Sequence, residues 1–211
     1  MKTLIAVPCM DSVPSQFAQS LAMLQKVDEC AIAFQIGSLI YTSRNELAKK
    51  SVEMGAEYVF WLDSDMVFTP DVLKRMFKTL KDNDLDILTG LYFRRVHPYS
   101  PVLFDQLEID SDNACHWTNF ESIPDELFEV GGCGFGCVLM KTEVFFSVMA
   151  KFGNMFSPLG NVGEDLSFCW RARQCGYKVY CDPSIALGHI GHTQVTREFY
   201  EVYKGTKIDK G

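Results

Sequence analysis

Four clusters in the chain carry side chains able to do chemistry: Asp63-Ser64-Asp65, the glycine run Gly131-Gly132-Cys133-Gly134-Phe135-Gly136, Glu164-Asp165, and Gly188-His189-Ile190-Gly191-His192. The first follows an apolar run, Tyr58-Val59-Phe60-Trp61-Leu62. Two carboxylates one residue apart repel each other unless something positive sits beside them. A divalent cation is the usual remedy, because hard cations take oxygen ligands. The other clusters have plainer readings beside the chemical ones. Acids at 164 and 165 suit the N-terminal dipole of a helix. A glycine run can be a bulged strand, and loop histidines are common.

The elements that must position these residues follow from periodicity. Strands are expected over 3–7, 30–36, 58–62 and 86–90, and helices over 16–27 and 69–81. Ser43 and Glu46 form a capping box, so a helix is expected to start at Ser43 and stop at Gly55. The segment 98–129 is polar and turn-rich, an irregular or antiparallel insertion. Helices over 142–151 and 164–175 follow, the second closed by Gly176, then short strands over 177–181 and 185–187. Strand alternating with helix is the signature of a mostly parallel sheet covered on both faces. In such sheets ligands bind beyond the carboxyl ends of the strands, where Asp63 and Asp65 fall.

Bulk composition narrows the classes. A chain of 211 residues, 47% hydrophobic, supports one substantial core and is read as a single domain over 1–211. It divides into 1–95 and 96–195, with a short tail over 196–211. The net charge of -7 counts against broad nucleic-acid binding. No run reaches the roughly 20 apolar residues that span a bilayer, so no transmembrane anchor and a cytoplasmic location are expected. The eight cysteines show no CxxC pair and are expected as reduced thiols packed like small hydrophobes.

Taken in order, Ser43-Arg44-Asn45, GAEYVFWLDSDMVF, GGCGFGCVLM, GEDLSFCWRARQCGYKVY and LGHIGH resemble the GT-A glycosyltransferases, the family 2-like enzymes in particular. The resemblance covers most of the chain and implies an α/β fold with a smaller antiparallel or irregular second half, in which 1–95 is the nucleotide-binding half and 96–195 the acceptor or catalytic half. It implies a hexosyltransferase-type enzyme moving a sugar from a nucleotide-sugar donor, UDP favoured, to an acceptor hydroxyl. Mn²⁺ or Mg²⁺ would bridge the donor's phosphates. By the same resemblance Asp65 ligates the metal, and Asp63 lies nearer the ribose or completes the shell through water. His189 is the late metal ligand, with His192 its rival. Pro8, Arg44, Ser64 and Gly132 belong to the donor site, Pro8 on the nucleoside and Arg44 on the nucleotide or its phosphates. The glycines from Gly131 to Gly136 would let backbone approach the sugar. Asp165 is the catalytic base of an inverting transfer, and Glu164 contacts the donor sugar or the acceptor.

Trp117 and Trp170 are candidate sugar-stacking rings, with a core role as the alternative for Trp170. The acceptor is open among a saccharide, a protein and a small molecule, with a modified nucleic acid disfavoured by charge. A lid or acceptor site is expected from 98–129 or from a second subunit of a homo-oligomer. Two other readings compete. One is a haloacid dehalogenase-type phosphatase, which also ends a strand in DxD, though normally the first strand. The other is a non-catalytic nucleotide-sugar-binding domain.

Overall fold

The computed structural model describes residues 2–37, 39–110, 112, 114–191 and 194–204. In chain order the elements are β1 (Thr3–Cys9), α1 (Ser15–Met23), β2 (Cys30–Ile36), α2 (Ile40–Glu53), β3 (Tyr58–Leu62), β4 (Met66–Val67), α3 (Val72–Asp82) and β5 (Ile87–Leu91). The second half adds β6 (Leu103–Phe104), β7 (Gln106–Ile109), β8 (Cys115–Thr118), β9 (Phe128–Val130), β10 (Gly132–Cys133) and β11 (Cys137–Lys141). It closes with α4 (Glu143–Phe152), α5 (Glu164–Gln174), β12 (Val179–Ala186), β13 (Gly188–His189) and α6 (Arg197–Tyr203).

Seven strands form the central sheet in the order β2-β1-β3-β11-β5-β12-β9. β1 pairs in parallel with β2 and β3, and β12 with β5, while β11 and β9 run antiparallel to their neighbours. This is the mostly parallel sheet expected from the alternation of elements. β1, β3 and β5 are buried almost throughout, which explains why they read as continuous apolar runs. Alternate residues serve the two faces. Leu4, Ala6, Val59 and Trp61 join α2, α4 and α5 in one core, while Ile5, Val7, Phe60 and Leu62 join α1 and α3 in the other. The small ladders β6/β10, β7/β8 and β4/β13 lie outside the main sheet, and they realise the antiparallel second half.

Two sequence expectations need correction. α2 begins at Ile40, one turn before the expected cap, and Ser43 is buried within its first turns. Its backbone amide donates to Leu39 O, so Ser43 is already inside the helix and is not its cap. Glu46 pairs instead with exposed Lys49. The extra turn carries Arg44 into the body of the helix, facing the core. The expected pair of strands over 177–181 and 185–187 is one strand, β12, with a register irregularity between Asp182 and Ala186.

The stops hold. Gly55 (φ +66°) and Gly176 (φ +93°) end α2 and α5 in backbone conformations that side chains with a Cβ rarely adopt. All eight cysteines are free thiols and six are buried, as a role in packing requires. Among the described residues no helix is long and apolar enough to cross a membrane.

Candidate active site

The carboxyl ends of the strands converge on one concave surface. Pro8 and Cys9 close β1, Gly37 follows β2, and Asp63, Ser64 and Asp65 follow β3. All six line a cavity of about 300 Å³. This is where a parallel sheet presents its ligand site. Four of the expected donor residues, Pro8, Asp63, Ser64 and Asp65, are thus brought together.

Asp65 meets the late histidine here. β13 pairs antiparallel with β4, setting His189 opposite Met66, and Ile190 N donates to Asp65 O at 2.8 Å. His189 Nε2 then lies 3.4 Å from Asp65 Oδ2. The ring's other nitrogen, Nδ1, is 2.8 Å from Phe93 O. A carbonyl only accepts, so Nδ1 carries a proton; Nε2 donates to Asp65 when the ring is protonated, and in the neutral ring its lone pair is the one free to ligate a cation. Fixing a ligating histidine through its second nitrogen is the usual arrangement around a metal. Burial pushes the His189 pKa down, but the hydrogen bond and charge of Asp65 outweigh it, and the net shift is up. Asp65 shifts down, because His189 and Arg95 outweigh its burial.

Among the described residues no group of three or more His, Cys, Asp or Glu side chains converges as a metal cage. The pair Asp65 and His189 nevertheless fits a divalent cation that draws its other ligands from a substrate's phosphates and water, a common manner of holding Mg²⁺. Asp63 is not part of that pair. Its Oδ1 accepts from Arg44 Nη2 at 2.9 Å. His192, the rival ligand, lies outside the described residues.

Arg44 departs from the sequence expectation of a donor-phosphate contact. It is 2% exposed, and besides Asp63 it donates from Nε to Glu164 Oε1 at 3.0 Å. Its guanidinium lies 5.6 Å from the Trp61 ring centre and 5.3 Å from that of Phe135. Burial disfavours the Arg44 charge, but Asp63 and Glu164 more than offset that and raise its pKa. The residue therefore ties the end of β3 to the start of α5. Its neighbour Asn45 accepts from Phe156 N at 3.2 Å, and Arg171 donates to the carbonyls of Met155 and Ser157. Together they fix the segment that leads into Glu164.

Asp165 sits in the first turn of α5, partly buried, with Oδ1 accepting from Leu166 N at 2.7 Å. Burial first, and then the Glu164 charge, push its pKa up to about 6. Asp165 directly follows Glu164, the acid that Arg44 holds. A carboxylate poised near neutrality suits general-base work.

The glycine run has a different reason from the one expected. Gly132 is buried, and a Cβ there would lie 2.8 Å from Leu107 Cδ2 and 3.0 Å from Leu166 Cδ2. At Gly134 a Cβ would land on the Tyr92 hydroxyl, and Gly136 N donates to that hydroxyl at 3.0 Å. Protein, rather than open space, fills the positions beside these glycines. Their smallness admits Tyr92 beneath the site. Trp170 packs at the core edge against Phe152, and Trp117 is exposed on β8, edge-on to Phe104.

Sequence reading missed Arg95, whose Nη1 lies 2.6 Å from Asp65 Oδ2. The one available signal was the pair Arg94-Arg95 just beyond the end of a strand in an acidic chain.

Residues 36–145, just over half of the chain, match the model of Glycosyl transferase family 2. The chain belongs to glycosyl transferase family 2, and its fold is that of the GT-A enzymes. Solved structures agree on the fold. A197 from STIV superposes with a TM-score of 0.65 at 19% identity, covering 94% of this chain and 91% of that one. GalNAc-T7 with UDP, GalNAc and Mn²⁺ superposes with a TM-score of 0.61 at 10% identity, covering 90% of this chain and 44% of that one.

Proposed function

We propose that the chain transfers a sugar from a nucleotide-diphosphate donor, UDP-linked by preference, to an acceptor hydroxyl with inversion. The carrying observation is the approach of His189 Nε2 to Asp65 Oδ2, 3.4 Å apart, beside the cavity that Pro8, Asp63 and Ser64 also line. Asp65 and His189 would hold Mn²⁺ or Mg²⁺. Bound there, the cation would supply Lewis-acid stabilisation to the diphosphate as negative charge builds on it.

The protein's own residues do the rest. Pro8 and Gly37, at the ends of adjacent parallel strands, border the nucleoside. Arg44 holds Asp63 and Glu164 apart and in register, so that the two halves of the site keep one geometry. Asp165 takes the acceptor hydroxyl's proton as that oxygen bonds to the anomeric carbon and the bond to the diphosphate breaks. With its pKa at about 6, Asp165 is ionised at neutral pH and ready to accept.

The test is turnover. Release of nucleoside diphosphate should be followed with a panel of UDP- and GDP-sugars, with Mn²⁺ and then with EDTA, across saccharide, peptide and small-molecule acceptors. Metal-dependent release from one donor, stimulated by an acceptor, is the expected result. Release that persists in EDTA would overturn the assignment of Asp65 and His189.

A further inference from the structure

Arg95 stands where two cavities meet. The cavity of about 300 Å³ that holds Pro8, Asp63 and Ser64 and a second of about 490 Å³ bordered by Pro14, Val96 and Ile190 both include Asp65 and Arg95. Among the described residues lining the two, Arg95 is the only basic one. Arg44, the other nearby cation, is buried and committed to Asp63 and Glu164.

The stem of Arg95 is packed, while its head lies half in solvent. Arg94 N donates to Ser100 O and Tyr99 N to Val96 O, which closes the loop on itself. A Cβ placed on Gly191 would lie 3.0 Å from Arg95 Cβ, so the chain after His189 packs directly against the stem. The side chain is 53% exposed, and its Nη1 reaches Asp65 Oδ2 at 2.6 Å and Ile190 O at 3.5 Å. That Asp65 oxygen is also the one His189 Nε2 faces. A guanidinium and a divalent cation therefore claim the same carboxylate oxygen. A half-exposed ion pair is weakly held, so it yields readily to a better partner. Arginine's planar fork suits phosphate oxygens.

We propose that Arg95 is the diphosphate-binding side chain of this site and a competitor for the metal's Asp65 oxygen. When the donor's diphosphate binds, Arg95 leaves Asp65 and pairs with the phosphate oxygens across the boundary of the two cavities. The inference rests on the donor site proposed above and adds the residue that discriminates a diphosphate from a bare metal.

The experiment is a pair of calorimetric titrations on the full chain and on Arg95→Ala and Arg95→Lys. Mn²⁺ is titrated alone, and inorganic pyrophosphate is then titrated into protein saturated with Mn²⁺. Pyrophosphate carries no base, so the result does not depend on which nucleotide the site takes. Arg95→Ala should bind Mn²⁺ alone several-fold more tightly and pyrophosphate on the order of tenfold more weakly, since a charge-assisted contact is lost. Arg95→Lys should fall between. Affinities that fall together indicate a merely structural arginine and overturn the proposal, as does any result without opposite shifts. Asp65→Ala separates the two readings. If the parent chain binds Mn²⁺ and pyrophosphate through Asp65 and Arg95→Ala changes neither, only the role of Arg95 falls. If the parent chain binds neither, the donor site falls and Arg95's role with it.

Discussion

Arg44 on α2 lies 3.0 Å through its Nε from Oε1 of Glu164, the first residue of α5. One buried guanidinium thus joins the acid that opens α5 to the acid that follows β3, since Asp63 occupies its Nη2. Asp63 feels this balance. Burial raises its pKa and Arg44 pulls it back, and the net shift is upward.

Removing that cation should be costly. Arg44→Met leaves Glu164 buried and Asp63 at the cavity wall without their partner, and loss of one side of a buried ion pair costs about 3–5 kcal/mol. Urea denaturation of the variant checks this. Arg44→Lys should recover only part of the loss, because an ammonium cannot serve both acids with the planar geometry a guanidinium provides.

Asp165 should govern both pH dependence and a trade of stability for activity. Its pKa is raised from 3.8 to about 6 in the folded chain, so the fold binds the proton more tightly than the unfolded state does. Ionisation therefore costs stability above pH 6, and the cost fades as pH falls through 6 toward 4. Asp165→Asn should be more stable than the parent by about 1–3 kcal/mol at pH 8 and equal to it near pH 3. Thermal melts at the two pH values test the sign. Turnover should rise with pH through about 6 in the parent, and the variant should lose about 10²- to 10⁴-fold.

His189 should matter to metal binding more than to folding. His189→Ala removes the Nε2 facing Asp65 and should weaken Mn²⁺ binding by at least about tenfold. Mn²⁺ titration of the variant, with its far-ultraviolet circular dichroism unchanged, is the measurement.

Gly134 is a packing position. An added Cβ would meet the Tyr92 hydroxyl and lie 2.7 Å from Val102 Cγ1. Gly134→Ala should destabilise by about 1–3 kcal/mol through overpacking. Gly134→Ala combined with Tyr92→Phe, which deletes the struck hydroxyl, should lose less than the sum of the single changes.

The legible parts of this molecule were local. β3 announced itself through Tyr58 to Leu62 because both of its faces are buried, and Gly55 and Gly176 marked helix ends that need a positive φ. The order of the clusters Asp63–Asp65, Glu164–Asp165 and His189 carried the resemblance, and the first of them lies within the residues 36–145 that match the family. What stayed hidden was decided by partners distant in sequence. Ser43 reads as a cap, yet Leu39 and Ile40 extend the helix ahead of it and turn Arg44 inward. Nothing near Gly132 or Gly134 in sequence shows that Leu107, Leu166 and Tyr92 will fill the space beside them. Nothing in the sequence shows that Arg95 will reach Asp65, the residue before the β4 strand that pairs with β13.

The most direct test of the account is a calorimetric titration of UDP into the full chain with Mn²⁺, repeated in EDTA and with Asp65→Ala. The account predicts binding with Mn²⁺ that disappears in EDTA and in the variant. UDP binding that survives both would contradict the site at Asp65 and His189, and no binding in any condition by the folded chain would contradict a UDP-sugar donor.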